Sequence, residues 1–153
     1  MDFVREIIEQ AAIVYNSKKS GILELGGGVP KNTAQQTGPL LDQILRKDHG
    51  GQDYIIQITD ARPDTGGLSG ATLQEGKSWG KVQDSHQDLI TVYTDSTIAF
   101  PVLALYALAN EEPREPKRIY KNLGKYYKTL QESATKVPDK FAEILKKADI
   151  KVD

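Results

Sequence analysis

The stretch that decides the fold is Gly21-Ile22-Leu23-Glu24-Leu25-Gly26-Gly27-Gly28-Val29-Pro30-Lys31. An apolar run opens at Gly21 and empties into three consecutive glycines, which reads as a strand ending in a tight turn. Glycines there let the backbone approach a ligand closely; they also make a turn with no ligand at all. The turn sits where a dinucleotide-binding fold puts its phosphate loop. The usual fingerprint is incomplete: Lys31 replaces its third glycine, and no acidic residue closes a following strand at the expected distance.

Upstream, Val4, Ile7, Ile8, Ala11, Ala12 and Tyr15 fall on one helical stripe, with Asp2 available as a cap. Downstream, Leu40, Leu41, Ile44 and Leu45 predict a second helix, begun by Pro39 and ended near Gly50 and Gly51. Tyr54–Ile58 and Leu89–Tyr93 predict two further strands, rich in β-formers. Asp95 and Ser96 then precede an apolar helix over Thr97–Asn110, with Pro101 straining its first turns. This order predicts an α/β fold, a partial Rossmann-like parallel sheet with flanking helices. Three strands are few for a self-sufficient doubly wound domain, and the apolar helix needs covering on more than one side. The expectation is therefore part of something larger.

After Pro113 and Pro116 the composition changes. Ile119, Leu123, Tyr126, Tyr127 and Leu130 predict an amphipathic helix, and Phe141, Ile144 and Leu145 a shorter one after Pro138. The chain thus divides into an α/β part, residues 1–110, and a helical C-terminal appendage, residues 111–153.

At 153 residues, 39% hydrophobic and 27% charged, the chain has the size and composition of one ordinary soluble domain. Lysine and arginine number 20 against 21 acidic residues, so no global charge draws it to nucleic acid or an anionic membrane. The balance is uneven. Residues 1–110 hold 9 basic and 13 acidic side chains (net -4), whereas 111–153 hold 11 and 8 (net +3). The absence of cysteine excludes disulfides and thiolate chemistry, and two histidines, His49 and His86, are too few for a zinc centre, so no metal is expected. Met1–Tyr15 mixes charge with apolar residues, unlike a signal peptide, and the apolar run Ile98–Ala109 is too short for a bilayer. A cytoplasmic protein is expected.

Chemistry concentrates between Thr59 and Lys81, where five glycines fall in 23 residues without a clean period. Gly76-Lys77-Ser78 mimics the end of a nucleotide-triphosphate loop, but Ala71 fills the place of the first required glycine and no apolar strand leads in. Glu75-Gly76-Lys77-Ser78-Trp79-Gly80-Lys81 is the sharper feature, because it joins the only tryptophan to two flanking lysines. A lysine is a nucleophile only as the free amine, and an apolar or aromatic wall disfavours its charged form. Trp79 suits such a wall, or a stacking face for a cationic substrate. The same residues also suit a surface loop with a half-buried tryptophan and two solvated lysines. Asp60, Asp64, Glu75, Asp84 and Asp95 lie in loops at expected carboxyl ends of strands, where carboxylates would suit a polyamine or simply solvate loops and cap helices.

In order, Leu25–Lys31, Ser69-Gly70-Ala71, Glu75–Lys81, Val92-Tyr93-Thr94-Asp95 and Phe100-Pro101 resemble deoxyhypusine synthase, over about Ile22 to Ala109. The resemblance implies an NAD-dependent transferase that takes a hydride from spermidine and releases a diamine. The aminobutyl group is then held as an imine on a lysine and passed to a lysine of the hypusine-bearing translation factor. It makes residues 1–110 the carboxy-terminal part of an NAD-binding domain and Lys81 the imine-forming lysine. Trp79 would line the polyamine slot, Glu75 would bind an amine, and Gly66 and Gly67 would touch the polyamine. Gly27, Asp60, Ala61, Asp95 and Ser96 match positions that contact NAD. Asn32 stands where the family carries a histidine that assists with the polyamine, and Asp64–Leu68 is less acidic than the family's version. Relatives in the superfamily make homospermidine, which gives an alternative acceptor. Because the family fold has an amino-terminal half and family members are tetramers with sites between paired chains, a complementary amino-terminal chain or a homo-oligomer is expected. A non-catalytic subunit or truncated remnant is the alternative.

Overall fold

The computed structural model describes residues 3–83 and 89–134. Helix α1 (Phe3–Tyr15) leads into strand β1 (Gly21–Leu25), followed by α2 (Val29–Gln35) and α3 (Thr37–Pro39), which runs on as a π-helical turn over Leu40–Ile44. Strand β2 (Tyr54–Thr59), two single 3-10 turns (Pro63–Thr65 and Leu68–Gly70) and α4 (Leu73–Ser78) come next. Strand β3 (Leu89–Tyr93), α5 (Ser96–Asn110) and α6 (Ile119–Ala134) complete the described order.

The three strands form one parallel sheet in the order β1-β2-β3. This is the open, helix-flanked sheet of a partial Rossmann-like fold, as the sequence predicts. Register sets Ile22 beside Ile55 beside Leu89, and Glu24 beside Gln57 beside Thr91. Side chains alternate between faces along a strand. On one face Ile22, Ile55 and Leu89 pack with Leu73 of α4 and Val82. On the other, Leu23, Leu25, Ile90 and Val92 stay between 37% and 50% exposed. Helix α5 is as bare: Ile98, Val102, Leu105, Tyr106 and Leu108 are each at least 66% exposed. The covering that its composition calls for does not come from the described residues.

A second cluster joins Ala11 and Ala12 of α1 to Leu41 and to Leu130 of α6. Asn16 Nδ2 donates to the Tyr126 carbonyl at 3.2 Å, and Lys47 Nζ donates to the Ser133 carbonyl. The first tail helix is therefore seated on α1. The shorter helix expected after Pro138 lies outside the described residues.

Two local differences from the sequence reading have physical causes. The helical region after the glycine turn starts at Val29, not at Pro39, because Pro30 occupies its first turn, where a lost N–H costs nothing. Within Thr59–Lys81, Thr72 Oγ1 accepts from the Glu75 backbone N–H and starts α4, an N-terminal cap that the Thr72-x-x-Glu75 spacing encodes. No helix among the described residues is long and apolar enough to cross a membrane.

Candidate active site

Lys81 is carried by a segment with little freedom. Its N–H donates to the Gly76 carbonyl at 2.9 Å, its carbonyl accepts from Gln52 N–H at 3.0 Å, and Val82 forms a parallel bridge with Gln52. Two glycines seat this segment. A Cβ at Gly38 would lie 2.5 Å from the Gly80 carbonyl oxygen, and one at Gly51 only 2.6 Å from the Lys81 carbonyl carbon. Gly51 also has φ +86, which a side chain rarely tolerates. The Lys81 side chain is half-buried, and its Nζ donates to Asn32 Oδ1 at 3.4 Å. Asn32 is itself oriented, since its Nδ2 donates to the Gly28 carbonyl at 3.0 Å. The fold thus brings Lys81 and Asn32 together across 49 residues.

Trp79 ends α4, with its carbonyl held by Gln43 Nε2 at 3.2 Å, and it is 64% exposed. Glu75 lies exposed in the first turn of α4. Gly66 and Gly67 have φ +74 and +82 and face open space. Asp64 pairs with Arg62 at 3.2 Å on the surface, while Asp84 lies outside the described residues.

The residues matched to NAD contacts sit at the carboxyl ends of three adjacent parallel strands. Gly27 follows β1, Asp60 and Ala61 follow β2, and Asp95 and Ser96 follow β3. Ala61 N–H donates to Thr59 Oγ1 at 3.1 Å. Asp95 Oδ1 accepts from the Thr97 hydroxyl at 2.6 Å and from its N–H at 2.8 Å. Those two bonds hold its carboxyl below the usual aspartate range. Beside the glycine turn, a cleft of about 210 Å³ is lined by residues that include Glu24, Gly27, Pro30 and Lys31.

Sequence reasoning missed the buried polar group beneath these loops. Lys31 is 5% exposed, and its Nζ donates to the Ala71 carbonyl at 2.6 Å and to Gln57 Oε1 at 3.2 Å. Burial pushes its pKa down, with the Glu24 carboxylate opposing. Glu24, also 5% exposed, accepts from Gln35 Nε2 at 2.6 Å, while its Oε2 is buried with no hydrogen-bond partner. Burial pushes its pKa up, against the Gln35 bond and the charge of Lys31. The signal was available: a glutamate and a glutamine each interrupt an otherwise apolar strand, at register partners of one face.

Comparison with known proteins gives the context. The family model described as deoxyhypusine synthase matches residues 1–107. A deoxyhypusine synthase-like protein of Thermosynechococcus vestitus is 47% identical over 135 residues, covering 83% of this chain and 34% of its own length. One from a Nostoc species is 43% identical over 148 residues, covering 94% of this chain and 39% of its own. A probable deoxyhypusine synthase 2 of Archaeoglobus fulgidus is 46% identical over 104 residues, 68% of this chain and 34% of that protein. The chain spans between about a third and two fifths of the length of these relatives. The Nostoc similarity covers too much of the chain to stop at residue 107, so it extends into the tail.

Proposed function

This chain belongs to the deoxyhypusine synthase family, and we propose that it carries the lysine-bearing part of an aminobutyl transferase that acts on spermidine with NAD. The observation that supports this most is the Lys81 amine, which follows the segment carrying Glu75 and Trp79 and lies 3.4 Å from Asn32 Oδ1. NAD suits the residues present. The turn glycine Gly26 has φ +85 and no atom within 4 Å of where a Cβ would stand, so the backbone there is open to close approach. Three neighbouring strand ends and the first turn of α5 lie along the carboxyl edge of the sheet, the edge at which parallel sheets bind ligands. Gly27, Asp60, Ala61, Asp95 and Ser96 would hold the cofactor, which when bound supplies a hydride acceptor.

This chain's own residues then do the rest. Exposed Glu75 offers a carboxylate to an ammonium end of the polyamine. Trp79 offers its ring to the methylene chain or to a cationic nitrogen, and open Gly66 and Gly67 leave room for the chain to pass. Asn32 holds the Lys81 amine in place. Lys81, as free amine, adds to the oxidised carbon of the amine donor; departure of the diamine leaves the aminobutyl group on Lys81 as an imine. Attack by an acceptor amine, a lysine of the hypusine-bearing translation factor, frees Lys81 again and leaves the aminobutyl group on the acceptor as an imine, for whose reduction the bound cofactor would supply the hydride.

Trp79 is 64% exposed, so the described residues form one wall of the slot. We read the other wall as the remaining length of the relatives, supplied by a complementary segment, or as the face of another copy of this chain in an oligomer. The test is release of the diamine from spermidine with NAD, measured for this chain alone and with the amino-terminal part of a relative. Release that needs both chains supports the reading; no release in either case, with both chains folded, counts against it and favours a non-catalytic subunit.

A further inference from the structure

We propose that Gln57 is a positioning residue that fixes the glycine turn and the Ser69–Ala71 segment as one rigid unit. Gln57 lies in the central strand with 1% of its surface exposed. Its Nε2 donates to the Gly26 carbonyl at 3.2 Å and to the Ser69 carbonyl at 3.1 Å. Its Oε1 accepts from Lys31 Nζ at 3.2 Å, and the same ammonium donates to the Ala71 carbonyl at 2.6 Å. One amide thus ties together the turn after β1, the first turn of α2 and the segment before α4. Two donors and an acceptor on one buried side chain are what an amide provides; glutamate lacks the donors and leucine lacks all three. A second contact holds the same two segments. A Cβ at Gly27 would come within 2.7 Å of Ser69 Cα, so here the missing side chain serves loop-on-loop packing.

The consequence rests on the functional reading above, in which the glycine turn meets NAD and the loop from Gly66 to Glu75 meets the amine. Gln57, buried beneath both loops, would act through them and not by contact with either ligand. By setting the spacing of the two loops, it places the carbon to be oxidised against the hydride acceptor.

Hydrogen exchange on the full chain without ligand decides the structural claim. The Gly26 amide, bonded to the Ile58 carbonyl, and the Gly70 amide, bonded to the Gly67 carbonyl, report on the two segments. In dilute denaturant the wild-type amides are expected to share one opening transition. Gln57→Glu keeps the acceptor for Lys31 and removes both loop donors, so both amides should exchange about tenfold faster together. In the same variant the apparent affinities for NAD and for spermidine should weaken together, each by about tenfold. Purely structural support would instead lower the melting temperature and leave both affinities as in the wild type. Separate openings in the wild type, or unchanged exchange in Gln57→Glu, overturn the proposal without needing any ligand. If the wild-type chain shares one opening but binds neither ligand when complemented, the functional reading fails and the rigid unit stands.

Discussion

Lys81 Nζ lies 3.4 Å from Oδ1 of Asn32, a contact made across the gap between the lysine segment and the first turn of α2. The Asn32 oxygen accepts from the amine and so orients it by one hydrogen bond. Asn32→Ala removes that bond and is expected to slow imine formation about tenfold at saturating substrate. Unchanged trapping in that variant would show that this contact does not govern the amine.

The glycine seat of Lys81 makes a separate prediction. Gly51→Ala places a Cβ 2.6 Å from the Lys81 carbonyl carbon on a residue with φ +86, and Gly38→Ala places one 2.5 Å from the Gly80 carbonyl oxygen. Each should destabilise by about 1–3 kcal/mol, read from chemical denaturation. Each should also lower imine yield at saturating substrate, because the lysine segment shifts. Gly124→Ala, inside α6 with open space around its Cβ, is the matched control and should not destabilise; it should gain about 0.5–1 kcal/mol of helix propensity.

Much of this was legible in the sequence. Three apolar runs became three parallel strands, and Asp95 capped α5 as its position implies. What periodicity did not reveal was chemistry inside the strands. Gln57 and Glu24 look like ordinary interruptions until parallel pairing brings them side by side above Lys31. The seats at Gly38 and Gly51 were equally hidden, because a glycine that admits a distant backbone segment reads locally as a turn or a helix end. The start of α2 was readable from Pro30 but was masked by the glycine run before it.

The buried Glu24 and Lys31 give stability a pH dependence with opposite signs. The folded pKa of Glu24 is raised, so its contribution is fully present below the ordinary glutamate range and is lost as pH rises through the raised value. The folded pKa of Lys31 is lowered, so its contribution is present above the ordinary lysine range and is lost as pH falls through the depressed value. Glu24→Gln should flatten the loss of stability as pH rises above the ordinary glutamate range, and Lys31→Met the gain as pH rises toward the ordinary lysine range. Urea midpoints from the one range to the other measure both.

The tail helix contributes packing against α1 and Leu41. Leu130 is 2% exposed against Ala11, Ala12 and Leu41. Leu130→Ala should cost about 2–4 kcal/mol in urea denaturation. At temperatures where the variant stays folded, trapping at Lys81 should be unaltered. A cost below about 0.5 kcal/mol would mean that α6 is not held on α1 in solution.

The central claim is that Lys81 carries the aminobutyl group, and borohydride trapping followed by peptide mass spectrometry tests it most directly. The chain is incubated with labelled spermidine and NAD, with and without the amino-terminal part of a relative, then reduced and digested. The account predicts one NAD-dependent aminobutyl adduct, on Lys81, absent in Lys81→Arg. An adduct on another lysine, or none from the folded and complemented chain, would contradict it.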